Sequence, residues 1–255
     1  MKKILSLTLV VLMLVAMLCA CSENPTNNPS TDPDPTPGAG SQETDPTDDS
    51  GNNGGDDSSD VVVIDVSDYL SDSSKWEFDS EYAFVKDGKL EYDNEGFGDF
   101  AAAMLTEAAK NVTYKITLTV NGIPSGLDDS NWWDSELLIM GRSSIAGPGW
   151  RDDGSQTGYC LTSWGDLSEV CIGRAGKDDL ATVEWNINDG QPHEIELSVV
   201  SNEDDSVVTI TLVVDGVELA KVEDDGSQIK NDCPASYPNA GNLTIRAKWV
   251  DITVE

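Results

Sequence analysis

The chain has 255 residues, 15 of them basic and 47 acidic, for a formal net charge of −32 at pH 7. A field of that sign repels nucleic acid and anionic lipid headgroups, which excludes nucleic-acid binding and electrostatic membrane attachment as functions. A single histidine, His193, and five cysteines leave little material for a zinc centre.

Residues 1–21, MKKILSLTLVVLMLVAMLCAC, carry two lysines, an apolar run from Ile4 to Ala20, and then Cys21. The run has the length of a signal-peptide core with its cleavage region and is short for a stable span. Leu18-Cys19-Ala20-Cys21 resembles the lipobox of bacterial lipoproteins. The resemblance implies a signal peptide over 1–20, removal of Cys19 with it, and a diacylglyceryl group on Cys21. Ordinary secretory cleavage at Ala20 is the alternative. Two acyl chains at about 0.8 kcal/mol per buried methylene make a stable anchor. The protein is then expected at the bacterial cell surface, lipid-anchored to the outer face of the cytoplasmic membrane.

From Ser22 to Asp60 the composition is Pro, Thr, Ser, Asn, Gly and Asp, with ten acidic residues and no basic one. Nothing there can build a core, so 21–60 reads as a lipidated, disordered acidic spacer. Its reach is about 35 Å as a plain coil and roughly 130 Å fully stretched. Residues 61–255 keep 13 basic against 37 acidic side chains, a net of −24.

That remainder is one run of strand-like segments. They are VVVIDV (61–66), YAFV (82–85), KLEYD (89–93), FAAAML (100–105), TYKITLTV (113–120), SELLIMG (135–141) and GYCLTSW (158–164). LSEVCIG (167–173), TVEWNI (182–187), HEIELSVV (193–200), VVTITLVV (207–214), VELAKV (217–222), NLTIR (242–246) and VDITV (250–254) follow. Many alternate apolar and polar residues between Gly, Asn, Asp and Pro, so an all-β sandwich or barrel is predicted. AAMLTEAAK (102–110) has helix propensity but is too short and too closely flanked to form one.

Two hairpins can be placed. Asp215-Gly216 suits a two-residue type I′ turn, because both positions need positive φ. A Gly165-Asp166 turn would pair Trp164 with Leu167 and, further down, Cys160 with Cys171, within disulfide reach when directly opposed. Two buried thiols are the alternative at that pair, and Cys233 stands outside it.

The stretch WNINDGQPHEIELSVV (185–200), followed by VTITLVVDGVELAKVEDD, resembles laminin G-like and concanavalin A-like jelly rolls, and WEFDSEYAFVKDGKLEYD (76–93) resembles the opening of related domains. The resemblance covers most of 61–255. It implies a two-sheet antiparallel jelly-roll sandwich in which the histidine begins a strand as a packing residue. Pro192 stands where the family often has Trp.

Some concanavalin-like folds are glycoside hydrolases, which need two carboxyl groups about 5–5.5 Å apart for retention. Glu194 and Glu196 alternate on one strand face, but the next position there is Ser198. Asp134 and Glu136 continue to Leu138. No G-x-S-x-G, H-E-x-x-H or phosphate loop occurs. Catalytic residues are therefore not assigned, and His193 reads as scaffold.

The unusual segment is 121–166, which holds Trp132, Trp133, Trp150 and Trp164, four of the seven tryptophans, with Arg142 and Arg151. Aromatic faces stack on pyranose C–H faces while Asp and Arg hold hydroxyls, so these residues and Asp134 are the candidate ligand-binding set. Trp76, Trp185 and Trp249 read as core. Asp128-Asp129, Asp152-Asp153, Asp178-Asp179 and Asp224-Asp225 offer oxygen ligands for a structural calcium, without a spacing that places it. The expected function is non-catalytic binding of an extracellular polysaccharide. A divergent glycoside hydrolase or an adhesion module binding surface proteins are the alternatives.

Overall fold

The computed structural model describes residues 60–93, 100–123, 135–144, 157–175, 179–227 and 236–255. The signal peptide, Cys21, the spacer through residue 59 and Cys233 lie outside the described residues. Contacts group Gly55–Glu255 into one compact unit. Its strands are β1 (Val62–Asp65), β2 (Trp76–Phe78), β3 (Ala83–Lys86), β4 (Lys89–Tyr92), β5 (Phe100–Ala109), β6 (Val112–Gly122), β7 (Glu136–Ser143) and β8 (Tyr159–Trp164). The rest are β9 (Glu169–Arg174), β10 (Asp179–Glu184), β11 (Pro192–Ser201), β12 (Val208–Val214), β13 (Val217–Asp224), β14 (Gly241–Lys248) and β15 (Asp251–Val254).

Two sheets enclose one core. The eight-stranded sheet runs β13-β12-β11-β6-β15-β4-β3 with β1 parallel beside β6; the seven-stranded sheet runs β10-β9-β8-β7-β14-β5-β2. Alternation decides which face turns inward: Tyr114, Ile116, Leu118 and Val120 of β6 and Ile195, Leu197 and Val199 of β11 are all buried. β7 departs from alternation because both its faces are covered, and every residue from Glu136 to Ser143 is buried.

The stretch with helix propensity is strand β5. Ala101, Ala103 and Leu105 enter the core while β14 and β2 pair on either side, so sheet contacts override local preference. Between β1 and β2 lie two 3₁₀ turns, capped by the Asp65 and Asp72 carboxylates, which accept from the Ser67 and Ser74 N–H groups. β10 begins three residues earlier than the TVEWNI pattern suggests. Trp185 and Ile187 instead donate their N–H groups to the Ser168 and Leu167 carbonyls.

The register sorts the connections to two ends of the sandwich. Trp164, Glu136 and Lys248 share one rung, and the turns 165–168, 215–216 and 249–250 lie at that end. Ser143, Tyr159, Arg174, Asp224 and Gly241 end their strands at the other. The 123–135 connection thus joins β7 at its Trp164 end, and the 144–158 connection leaves it at the opposite end. Eight strand residues separate them, about 26 Å.

Candidate functional site

Arg142 was expected to hold a ligand, and the structure corrects that. Between the Asn242–Ser143 and Thr244–Met140 rungs β7 carries one residue more than β14, a bulge at Gly141-Arg142, and Arg142 has φ +54°. This left-handed residue turns its side chain into the sandwich end, where it is 1 % exposed. Its Nε donates to the Lys110 carbonyl at 2.5 Å, Nη1 to the Tyr237 carbonyl and Ser201 Oγ, and Nη2 to the Val199 carbonyl and Asn111 Oδ1. Gly241 is required beside it, because a Cβ there would lie 2.3 Å from the Arg142 carbonyl carbon. All five donors are spent on the fold, so the residue ties both sheets together.

A second buried cation closes the same end. The Arg174 guanidinium clasps the Asp224 carboxylate from Nε at 2.6 Å and from Nη2, with both side chains at most 2 % exposed. The Tyr159 hydroxyl donates to Asp224 at 2.7 Å and accepts the Tyr237 N–H at 2.9 Å. Burial pushes the Asp224 carboxyl up, but hydrogen bonds from Arg174, Tyr159 and the Gly226 N–H outweigh it and hold the group below the usual range. The Asp224 carboxylate, one of the oxygen ligands offered for calcium, is thus engaged by arginine. Among the described residues no three His, Cys, Asp or Glu side chains gather around a metal-sized space. Asp128, Asp129, Asp152, Asp153 and Asp178 lie outside the described residues.

The Trp164 end is built differently. On the outer face of the seven-stranded sheet, one rung reads Lys248, Glu136, Trp164. Trp164 is half-buried, and its indole N–H donates to Glu136 Oε1 at 3.2 Å. The Lys248 ammonium sits 4.8 Å from the ring centre of Trp249, which is itself half-buried. Trp249 was read as core, and this too is corrected. It occupies the turn between β14 and β15 with φ +52°, an uncommon conformation for a bulky residue. Among the described tryptophans, Trp76 and Trp185 pack on the core cluster, whereas Trp164 and Trp249 do not. Two accessible indoles thus flank a carboxylate and an ammonium. Trp132, Trp133, Asp134, Trp150 and Arg151 lie outside the described residues. In the chain the first three directly precede Ser135, and Trp150 and Arg151 fall between β7 and β8.

His193 is a clamp. Its Nδ1 lies 2.8 Å from Asp215 Oδ2, its Nε2 3.1 Å from Asp189 Oδ1, and its ring meets Trp185 edge-on at 5.5 Å. The expected type I′ turn is present, with Asp215 at φ +50° and Gly216 at +77°, so the ring staples that hairpin to the turn before β11. Burial lowers the His193 pKa, but the hydrogen bonds to Asp215 and Asp189 raise it further, and the net shift is upward from 6.5. The stabilisation is therefore fully present below pH 6.5 and is lost as pH rises through the higher folded-state value. Both carboxylates are exposed, so solvent screening keeps the contribution small. His193→Gln should lower the melting temperature more at pH 5.5 than at pH 8.5; an equal loss at both contradicts the clamp. Glu194 and Glu196 lie on the outer face of the other sheet, where Glu196 meets Lys115 at 3.2 Å.

The cysteine register is also corrected. Cys160 faces Gly173 and Cys171 faces Thr162, two residues away from direct opposition. The turn takes four residues rather than two, because Leu167, at φ +60°, swings into the core and is fully buried. The Cys160 thiol donates to the Gly173 carbonyl, Cys171 Sγ lies 3.4 Å from Thr182 Oγ1, and the two sulfurs are not bonded to each other.

No protein-family model matches this sequence, and comparison with curated proteins returns no match. Solved structures do resemble it. A Bacillus subtilis protein of unknown function with a galectin-like fold overlays with a TM-score of 0.55 at 11 % identity, covering 72 % of this chain and 88 % of that one. The fold is a concanavalin A-like jelly roll. A legume lectin-like domain from Entamoeba histolytica overlays at 0.47, with 9 % identity over 71 % of this chain and 87 % of that one. The Lotus tetragonolobus seed lectin overlays at 0.46, with 12 % identity over 72 % and 91 %.

Proposed function

We propose that this jelly roll binds a neutral extracellular polysaccharide without cleaving it, at the end of the sandwich marked by Trp164, Glu136, Lys248 and Trp249. The observation that carries the reading is the pair of half-buried indoles standing off the core with a carboxylate and an ammonium between them. An indole face takes the apolar side of a pyranose ring and Lys248 offers a donor for its hydroxyls, while the buried Glu136 carboxylate holds the Trp164 indole N–H in place. Strand spacing puts Trp164 and Lys248 about 10 Å apart, room for more than one ring. The net charge of −24 over 61–255 disfavours anionic glycans.

Within the same proposal, Cys21 carries the lipid, 21–60 is the spacer and 61–255 the binding module, held at the bacterial cell surface. Trp132, Trp133 and Asp134, which directly precede Ser135 in the chain, are included in the proposed ligand-binding set. Trp150, Arg151 and Arg142 are not included. The test is affinity electrophoresis in gels containing barley β-glucan, galactomannan or arabinoxylan. Wild type should be retarded by at least one of them, and Trp164→Ala should abolish retardation with its melting temperature unchanged. Retardation that survives Trp164→Ala, or release of reducing ends from any of the three, overturns the reading.

A further inference from the structure

The chain enters the sandwich through β1, and β1 lies parallel to β6, with Val62 opposite Val112 and Asp65 opposite Lys115. Every other strand pair among the described residues is antiparallel. That direction fixes where the chain enters. β6 runs from Val112 to Gly122, which pairs with Asp251 just after the turn at Trp249. At its other end the Val62 N–H donates at 2.8 Å to the carbonyl of Asn111, whose side chain accepts from Arg142. Ten residue steps of β6, about 33 Å, thus separate the entry from the Trp164 end.

Val61, Val62 and Val63 are exposed, so burial of these side chains does not hold β1. The ladder to β6 holds it, together with Ile64 and Val66 in the core. The exposed Asp60 and Asp65 flank the valines with charge, which deters a further strand from adding to this edge.

A load applied between the entry and the Trp164 end runs along β6. Drawn backward along its own axis, a parallel strand slides over its partner, so its evenly spaced ladder bonds are strained together. A strand antiparallel to β6 at this position would begin at its Trp164 side. The same pull would fold it back and open its bonds one at a time. The parallel direction therefore converts peeling into shear at the first strand to feel the load. Forced unfolding follows the unfolding rate and not equilibrium stability, so a four-residue edge strand can resist force while adding little to the melting temperature.

Resting on the proposed lipid anchor and glycan site, we infer that β1 is a mechanical clamp, through which the domain bears tension between the membrane and a polysaccharide held at its Trp164 end. The partner is then a long polymer fixed outside the cell, since free oligosaccharides exert no pull.

The test is single-molecule force spectroscopy on the 22–255 chain in a Cys233→Ser background, and it needs no bound glycan. One handle is at the N-terminus. The other is on Asp166→Cys, in the exposed β8–β9 turn, or on Glu255→Cys, where β15 ends beside Thr117. A pull on residue 255 turns the end of β15 back along its own strand and peels it. At one loading rate the unfolding force should be several-fold higher with the residue 166 handle than with the residue 255 handle. Val62→Pro deletes the N–H bonded to Asn111 at the first strand position, where proline is tolerated. It should lower the force at the residue 166 handle, leave that at residue 255 unchanged and barely move the melting temperature. Equal forces in the two geometries, or a force that Val62→Pro does not change, overturn the clamp and leave the glycan site standing, which gel retardation tests separately. A melting temperature that falls in step with the force assigns β1 to ordinary fold stability and also overturns the inference.

Discussion

Replacing Asp224 by asparagine is expected to destabilise the domain by about 3–5 kcal/mol, because the Arg174 guanidinium then stays buried without its counter-charge. For a domain of this size that is a fall in melting temperature of roughly 6–20 °C. The Tyr159 hydroxyl also loses a charged acceptor, and Tyr159 in turn positions the Tyr237 N–H. The dependence on pH has a definite sign. The Asp224 carboxyl is held below its ordinary 3.8 in the folded state, so its contribution is present above that pH and is lost as pH falls through the depressed value. The difference between wild type and Asp224→Asn should therefore shrink in strong acid. Replacing the pair together, as Arg174→Met with Asp224→Leu, should recover most of the loss, since no charge is left buried. Urea unfolding of the three variants measures all of this, and a change below 1 kcal/mol in the single variant contradicts it.

Arg142→Ala should be comparably damaging, by about 3–5 kcal/mol, while leaving polysaccharide binding at native temperature intact. The substitution strips donors from the carbonyls of Lys110, Val199 and Tyr237, three acceptors brought together from separate segments. It also leaves a cavity the size of one of the largest fully buried side chains among the described residues. Arg142→Lys should rescue little, because an ammonium cannot reproduce the planar fork that reaches acceptors on three sides. Arg142→Gly should be milder than Arg142→Ala, since glycine takes φ +54° without strain. Loss of binding with unchanged stability would instead return Arg142 to the ligand site, where sequence reasoning put it.

The sequence by itself determined what depends on short-range pattern. Alternation in TYKITLTV, HEIELSVV and VVTITLVV set the inward faces of β6, β11 and β12, since in a strand the side-chain period is two whatever the neighbours are. Asp215-Gly216 announced its turn because few residues tolerate two successive positive φ values. His193 read as scaffold because Glu194 and Glu196 lead on their strand face to Ser198 and the resembled pattern has a packing histidine there; its partners Asp189 and Asp215 emerged only with the structure.

Tertiary structure decided what depends on distant partners. The β8–β9 register hinges on Leu167 finding the core, and no local rule distinguishes a two-residue turn at Gly165-Asp166 from a four-residue one. Arg142 is drawn inward by carbonyls from β5–β6, β11 and the 236–240 segment, which nothing in GRSS reveals. The tryptophan-rich segment looked like one surface because its residues are neighbours in the chain. β7, about 26 Å long, carries its two connections to opposite ends. Glu136, which accepts the Trp164 indole N–H, comes from a strand 28 residues away, and only sheet pairing could place it beside that ring.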